Sequence, residues 1–370
     1  MDGSTLELCY REYGCCDHLL AEERQPIASY QRPVPPAQVV FAPKFIYVRP
    51  EAESRKDRSV SGEAYVTFPV NRTEVYPDYH DNQRELGKIR ATIDSVRLDR
   101  DVTITRIWLK GYASPEGSYA NNERLARGRS FAIRDYVQGL YPIAASIYSV
   151  DYEPENWEGL RNYVLSNPAV GNNLAILNII DSGGQPDARE WRIKSCFPRE
   201  YRYLLEHCYP YLRRTDYKVE YTIRAYTNIR EILEVFRTRP QNLSLNELYL
   251  VADEYPEGSE QFNEVFDFAV RMYPNDPVAN LNAAMAEMEA GNLNRATKYL
   301  ERADERPEVI YARGIREALQ GNWDAALTEL RRAQSRGVAE ASDAMNQIAL
   351  CRQYEADAKA FTEKYGEAAL

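Results

Sequence analysis

Gly111-Tyr112-Ala113-Ser114-Pro115-Glu116-Gly117-Ser118 stands where the chain changes period. Before it, residues 102–109 are β-branched and apolar almost throughout, as expected of a central strand covered on both faces. After it, Leu125, Ala132, Ile133, Tyr136, Val137 and Leu140 mark the inner face of a helix over residues 119–140, with Ser118 as its N-cap. Gly111 is read as the end of the strand, and the Gly117-Ser118 pair as the turn into the helix. The stretch is therefore a strand-to-helix loop.

Working outward, Ala64, Val66, Phe68 and Val70 alternate with Tyr65 and Thr67, the period of a half-buried strand. Leu86, Ile89, Ile93 and Val96 follow at helical spacing. Residues 147–152 read as a third strand. Helical pieces come next, including 157–165 and 200–209. A fourth strand alternates Tyr217, Val219, Tyr221 and Ile223 with Lys218, Glu220, Thr222 and Arg224. The expected order over residues 62–227 is βαβαβ(α)β, a sheet with helices packed on it, and the fold class is α+β.

Beyond residue 228 the strand period disappears. Gly291-Asn292-Leu293 recurs as Gly321-Asn322-Trp323, Ala296 as Ala326 and Ala303 as Ala333, each at an offset of 30 residues. Gly258 lies 33 residues before Gly291. Small residues at such places let paired helices approach closely, and glycine ends the first helix of a pair. This pattern resembles tetratricopeptide repeats and implies an all-α helical repeat domain over 228–370 that binds a partner protein. Tyr299, Tyr311 and Trp323 are read as packing between its helices.

Residues 1–61 read as a partial β-rich segment and linker. Val39-Val40-Phe41 and Lys44-Phe45-Ile46-Tyr47-Val48 are strand-like between prolines, and residues 51–61 are the polar linker.

Composition bounds the function. The formal charge is −10. Residues 228–370 hold 16 Lys+Arg against 25 Asp+Glu, so the acidity is concentrated there. A chain with no basic stripe argues against nucleic acid and anionic membrane surfaces. No apolar run is long enough to span a bilayer, and no secretory leader opens the numbering. The six cysteines make no paired C-x-x-C motif and the three histidines are far apart in sequence, which disfavours zinc. No phosphate loop and no activated nucleophile is visible, so neither a cofactor nor an enzyme activity is expected.

The central stretch, continued by Asn122, Leu125 and Arg129, resembles the signature of the OmpA-like C-terminal domain, in a form like that of Bacteroidetes envelope proteins. Phe68 and Asn71 resemble the strand end and turn that open that domain. The resemblance implies a cell-envelope protein, periplasmic or associated with the outer membrane, that binds the diaminopimelate stem of peptidoglycan. In that family a loop aspartate meets the ligand's ammonium and a helix arginine grips its carboxylate by forked charge-assisted bonds. Backbone N–H groups at the helix N-terminus favour the anion.

Arg129 stands at the arginine position. Ser114 stands in place of the aspartate, so a neutral acceptor replaces a full charge, and Glu116 is the nearby carboxylate. The expected ligand-binding set is Ser114, Glu116, Gly117, Asn122 and Arg129. The resemblance also implies a disulfide between Cys196 and Cys208, against which stands the reading of two buried thiols. Residues 153–215 form a connection longer than the family's usual one, with residues 167–193 as extra material that covers or extends the ligand groove. A second expectation is that the wall site is lost through Ser114 and that both domains serve as an envelope scaffold for other proteins.

Overall fold

The computed structural model describes residues 4–30 and 33–366. The chain is mixed α+β and divides into two compact units, residues 53–228 and residues 1–52 with 229–370.

In the first unit the order is β3 (Lys56–Ala64), α1 (Asn82–Arg97), β4 (Val102–Tyr112), α2 (Tyr119–Leu140) and β5 (Tyr148–Glu153). Five helices follow, α3 (Trp157–Ser166), α4 (Asn173–Asp181), α5 (Pro186–Cys196), α6 (Pro198–His207) and α7 (Tyr209–Leu212), before β6 (Thr215–Ile223). The sheet is ordered β3-β6-β4-β5. β6 is antiparallel to both of its neighbours, and β4 and β5 are parallel, connected through α2. Leu86, Ile89 and Ile93 of α1 and Ile133 and Val137 of α2 share a core with Ile107, Leu109 and Val219 of the sheet. The helices between β5 and β6 close a second core around Leu160, Ile176, Ile193 and Leu204.

Three expectations are corrected here. Residues 56–61, read as linker, belong to the edge strand β3, so the sheet begins before residue 62. Residues 65–70 leave the sheet. Their backbone is paired to side chains instead: Glu85 accepts from Tyr65 N at 2.9 Å, and the Asn82 amide bonds both Thr67 N and Thr67 O, at 2.7 and 2.8 Å. Gly111 does not end β4, which continues to Tyr112. Glycine is required there by close approach, because a Cβ would collide with Ser130 Oγ of α2.

In the second unit β1 (Ser4–Tyr13) and β2 (Leu19–Tyr30) form an antiparallel hairpin that sequence periodicity did not reveal. The helices are α8 (Ile229–Thr238), α9 (Leu245–Ala252), α10 (Glu260–Met272), α11 (Pro277–Glu289), α12 (Leu293–Leu300), α13 (Pro307–Leu319), α14 (Trp323–Ser335) and α15 (Glu340–Tyr365). α11 packs on α12 and α13 on α14. Proline opens α11 and α13, and after each a glycine in the left-handed region, Gly291 or Gly321, turns the chain. Ala296, Ala326 and Ala333 are fully buried where the helices meet.

Residues 39–48, expected as strands, belong to no strand and have no sheet partner. They lie against the helices of this unit, with Phe41, Phe45, Ile46, Tyr47 and Val48 packed on the helical core. Among the described residues no helix is long and apolar enough to cross a membrane.

Candidate functional site

The loop after β4 is fixed at its start by residues at the ends of the neighbouring strands and just beyond them. Tyr112 N donates to Arg214 O at 2.8 Å, Ala113 N to Glu153 O at 3.2 Å, and Asn156 N to Ala113 O at 2.9 Å. Ser114 and Pro115 are thereby buried, while Glu116, Gly117 and Ser118 face solvent. Gly117 has φ +87°, the left-handed turn that a side chain would strain.

Arg213, just ahead of β6, bridges this turn. Its Nε donates to Ser114 Oγ at 2.9 Å and its terminal nitrogen pairs with Glu116 Oε2 at 2.5 Å. The pair is half-exposed, so its contribution to stability is small, about 0–1 kcal/mol. Its consequence is geometric. A cation of the chain itself sits on the two acceptors that the sequence reading set against a ligand's ammonium.

The N-terminus of α2 is also occupied. Ser118 is at the N-cap but makes no side-chain cap bond. Asp187 of α5 accepts from Tyr119 N at 2.7 Å, and Glu190 accepts from Gly117 N at 3.5 Å. Two carboxylates from the extra connection thus satisfy the positive end of the helix. Glu190 is itself held by the Tyr201 hydroxyl. Helix α5 thereby covers this end of the loop.

Arg129 is different. Its guanidinium lies over the Phe68 ring, 4.9 Å from the centroid, and its Nε donates to Arg72 O at 3.2 Å. Among the described residues no carboxylate forms an ion pair with it. Burial, with repulsion from Arg213 and Arg124, pushes its pKa down to about 10. It stays protonated at neutral pH, as a half-buried cation.

Asn122 does not line the loop surface. It is buried, and its amide donates to Glu155 Oε1 at 2.9 Å, while Trp157 Nε1 donates to Glu155 Oε2 at 2.7 Å. Glu155 is buried, and its carboxyl is pushed up by that burial. Asn122 therefore ties α2 to the β5–α3 loop beneath the site, and its expected direct contact with a ligand is withdrawn because no face of it is accessible.

The expected disulfide is also corrected. Cys196 is free and exposed at the end of α5, and Cys208 is free and buried after α6. Between them the ten residues of α6 form a helix. At about 1.5 Å per residue that helix spans roughly 15 Å. A disulfide needs Cα atoms within about 7 Å.

The structure thus exposes Glu116 and Gly117 on the turn, half-buries Arg129 on α2, and buries both Ser114, bonded to Arg213, and Asn122, bonded to Glu155. It adds Arg213, Asp187, Glu190 and Phe68 in roles the motif did not show. The signals were faint: an Arg213-Arg214 pair ahead of the last strand, and two acids three residues apart in a helix opened by Pro186. No family model matches this chain, and no curated protein matches it.

Proposed function

We propose that the chain is a non-catalytic cell-envelope protein whose β3–β6 unit is OmpA-like and associates with peptidoglycan through a stem-peptide carboxylate, while its tetratricopeptide-like helices bind a partner protein. The β-α-β-α-β-helices-β connection and the match of loop and helix residues support the family reading. The single observation that carries the ligand reading is Arg129: a half-buried guanidinium, stacked on Phe68 and repelled by two other guanidiniums, with no acid among the described residues paired to it. Such a cation is complementary to a carboxylate, which a forked pair of charge-assisted bonds would hold.

Arg213 on Ser114 and Glu116 favours a second reading, in which the wall site is lost and the unit is a protein scaffold. Co-sedimentation with purified sacculi separates the two. On the first reading the full chain sediments with sacculi, and Arg129→Ala weakens this roughly tenfold or more, the scale of a hydrogen bond to a charged group. Arg213→Ala, which frees Ser114 and Glu116 for an ammonium, strengthens it. Indifference of the wild-type chain to sacculi overturns the first reading, and one stoichiometric protein partner recovered under those conditions establishes the second.

A further inference from the structure

Residues 41–49 cross the helical unit from its last helix to its earlier ones, held by side chains rather than by a strand. Ala42 N donates to Gln347 Oε1 of α15 at 3.0 Å, and Lys44 Nζ pairs with Glu340 at 3.3 Å. Tyr311 of α13 donates its hydroxyl to Lys44 O at 2.7 Å. Asn282 of α11 reads both backbone groups of one residue: its Oδ1 accepts from Val48 N and its Nδ2 donates to Val48 O, each at 2.8 Å. Arg49 reaches Asn246 of α9 at 3.1 Å.

Side chains add specificity. Phe41 meets the Trp323 ring edge-on at 6.0 Å. Tyr47 stacks on Phe266 at 5.1 Å, meets Phe262 edge-on at 4.7 Å, and donates its hydroxyl to Glu289 at 2.7 Å. Tyr311 and Trp323, read from the sequence as packing between helices, thus also face this segment.

These contacts have the form of peptide recognition. Asn282 offers an extended peptide the same donor–acceptor pair as a neighbouring strand would, whatever that peptide's side chains. The Phe262–Phe266–Glu289 pocket selects an aromatic ring with a hydroxyl, and the Trp323 face selects a second ring six residues earlier. We propose that residues 41–48 are a resident ligand of the helical repeats: the surface is a receptor for an extended segment of this chemistry, and a partner segment reaches it by displacing them. The inference rests on reading the repeats as a partner-binding unit, and is independent of the peptidoglycan site. Because the resident belongs to the same chain, it competes intramolecularly and not by bulk concentration. The wild-type surface is therefore mostly closed to a partner.

The test uses the full chain and a labelled synthetic peptide of residues 38–50, followed by fluorescence anisotropy. The peptide should bind wild type weakly and Tyr47→Ala at least tenfold more tightly. Asn282→Ala added to Tyr47→Ala should remove that binding. Equal weak binding to wild type and Tyr47→Ala, binding that survives Asn282→Ala, or loss of helical circular dichroism in Tyr47→Ala overturns the proposal. Hydrogen exchange on the unaltered protein is a second measurement. The Val48 amide should exchange at least tenfold faster than core amides of α11 and α13, by opening of the segment alone. Protection equal to theirs makes residues 41–48 a permanent part of the fold and overturns the proposal. Sedimentation with sacculi should be unchanged in both variants, so failure here is distinguishable from failure of the wall reading.

Discussion

Gly111→Ala tests whether the candidate site is held as described. An added methyl would collide with Ser130 Oγ and sit 3.4 Å from Ala126 O and from Ser130 Cβ. The last two distances are ordinary contacts, so the hydroxyl is the obstacle. It cannot simply swing away, because Ser130 Oγ accepts from Gly111 N at 3.0 Å and donates to Ala126 O at 2.8 Å in a fully buried position. Overpacking costs about 1–3 kcal/mol. An orphaned buried N–H costs about 1–3 kcal/mol more. We expect Gly111→Ala to destabilise the unit by about 2–4 kcal/mol, since the two costs partly share one displacement. In urea, with a slope of about 2 kcal/mol/M, the midpoint falls by roughly 1–2 M. Trp108, Trp157 and Trp191 lie in this unit and report its unfolding by fluorescence. Ser130→Ala removes the hydroxyl but keeps a good helix former. The double variant Gly111→Ala/Ser130→Ala should therefore be more stable than the sum of the single effects by about 1 kcal/mol or more. Strict additivity, or a neutral Gly111→Ala, would refute this account of how β4 meets α2.

Two further outcomes follow from groups already described. Under native conditions a thiol reagent should label Cys9, Cys15, Cys16 and Cys196 quickly and leave Cys208 and Cys351 protected until unfolding, as mass spectrometry would read; burial pushes the Cys208 thiol up to about 12, which reinforces its protection. A Cys196–Cys208 disulfide in the isolated protein would contradict the helix between them. Glu155 is raised by burial, so the folded state binds its proton more tightly than the unfolded state, whose carboxyl titrates near 4.3. Its contribution to stability is fully present below that value and is lost as pH rises through the folded value. The gain on acidification should be smaller in Glu155→Gln than in wild type, measured as the difference between their urea midpoints from pH 7 to pH 4; identical profiles would place the Glu155 carboxyl at its ordinary value.

The strand-to-helix segment was legible because several local signals agreed there: a β-branched run, turn residues, then helical spacing of Leu125, Ile133 and Val137. The helix boundaries at Tyr119 and Leu140 came out as expected. β3 was not legible, since Lys56-Asp57-Arg58-Ser59 carries no apolar alternation and pairs on one side only, with β6. An edge strand of this kind is polar because nothing covers it fully. The occupants of the site were hidden for another reason. Arg213 is 99 residues from Ser114, and Asp187 is 68 from Tyr119. A local motif holds no information about which distant side chains fill its turn.

The false strands share a cause that bears on function. Residues 65–70 and 39–48 both show the apolar pattern of strands, yet neither belongs to a sheet. In each an asparagine takes the place of the missing neighbour: Asn82 bonds Thr67 N and O, and Asn282 bonds Val48 N and O. Alternation reports an extended backbone with one face buried, and is silent on whether the partner is a ladder or a single amide. The two differ in what they commit the segment to. A ladder bonds alternate residues along a whole strand. An asparagine clamp fixes one residue and leaves its neighbours to side-chain contacts. Residues 65–67 are bound into their unit by Glu85 as well as Asn82, directly after β3 in the chain. Residues 41–48 have no strand adjoining them and are held to the helices by side chains rather than by a ladder, which is the condition under which such a segment can exchange with another of the same chemistry.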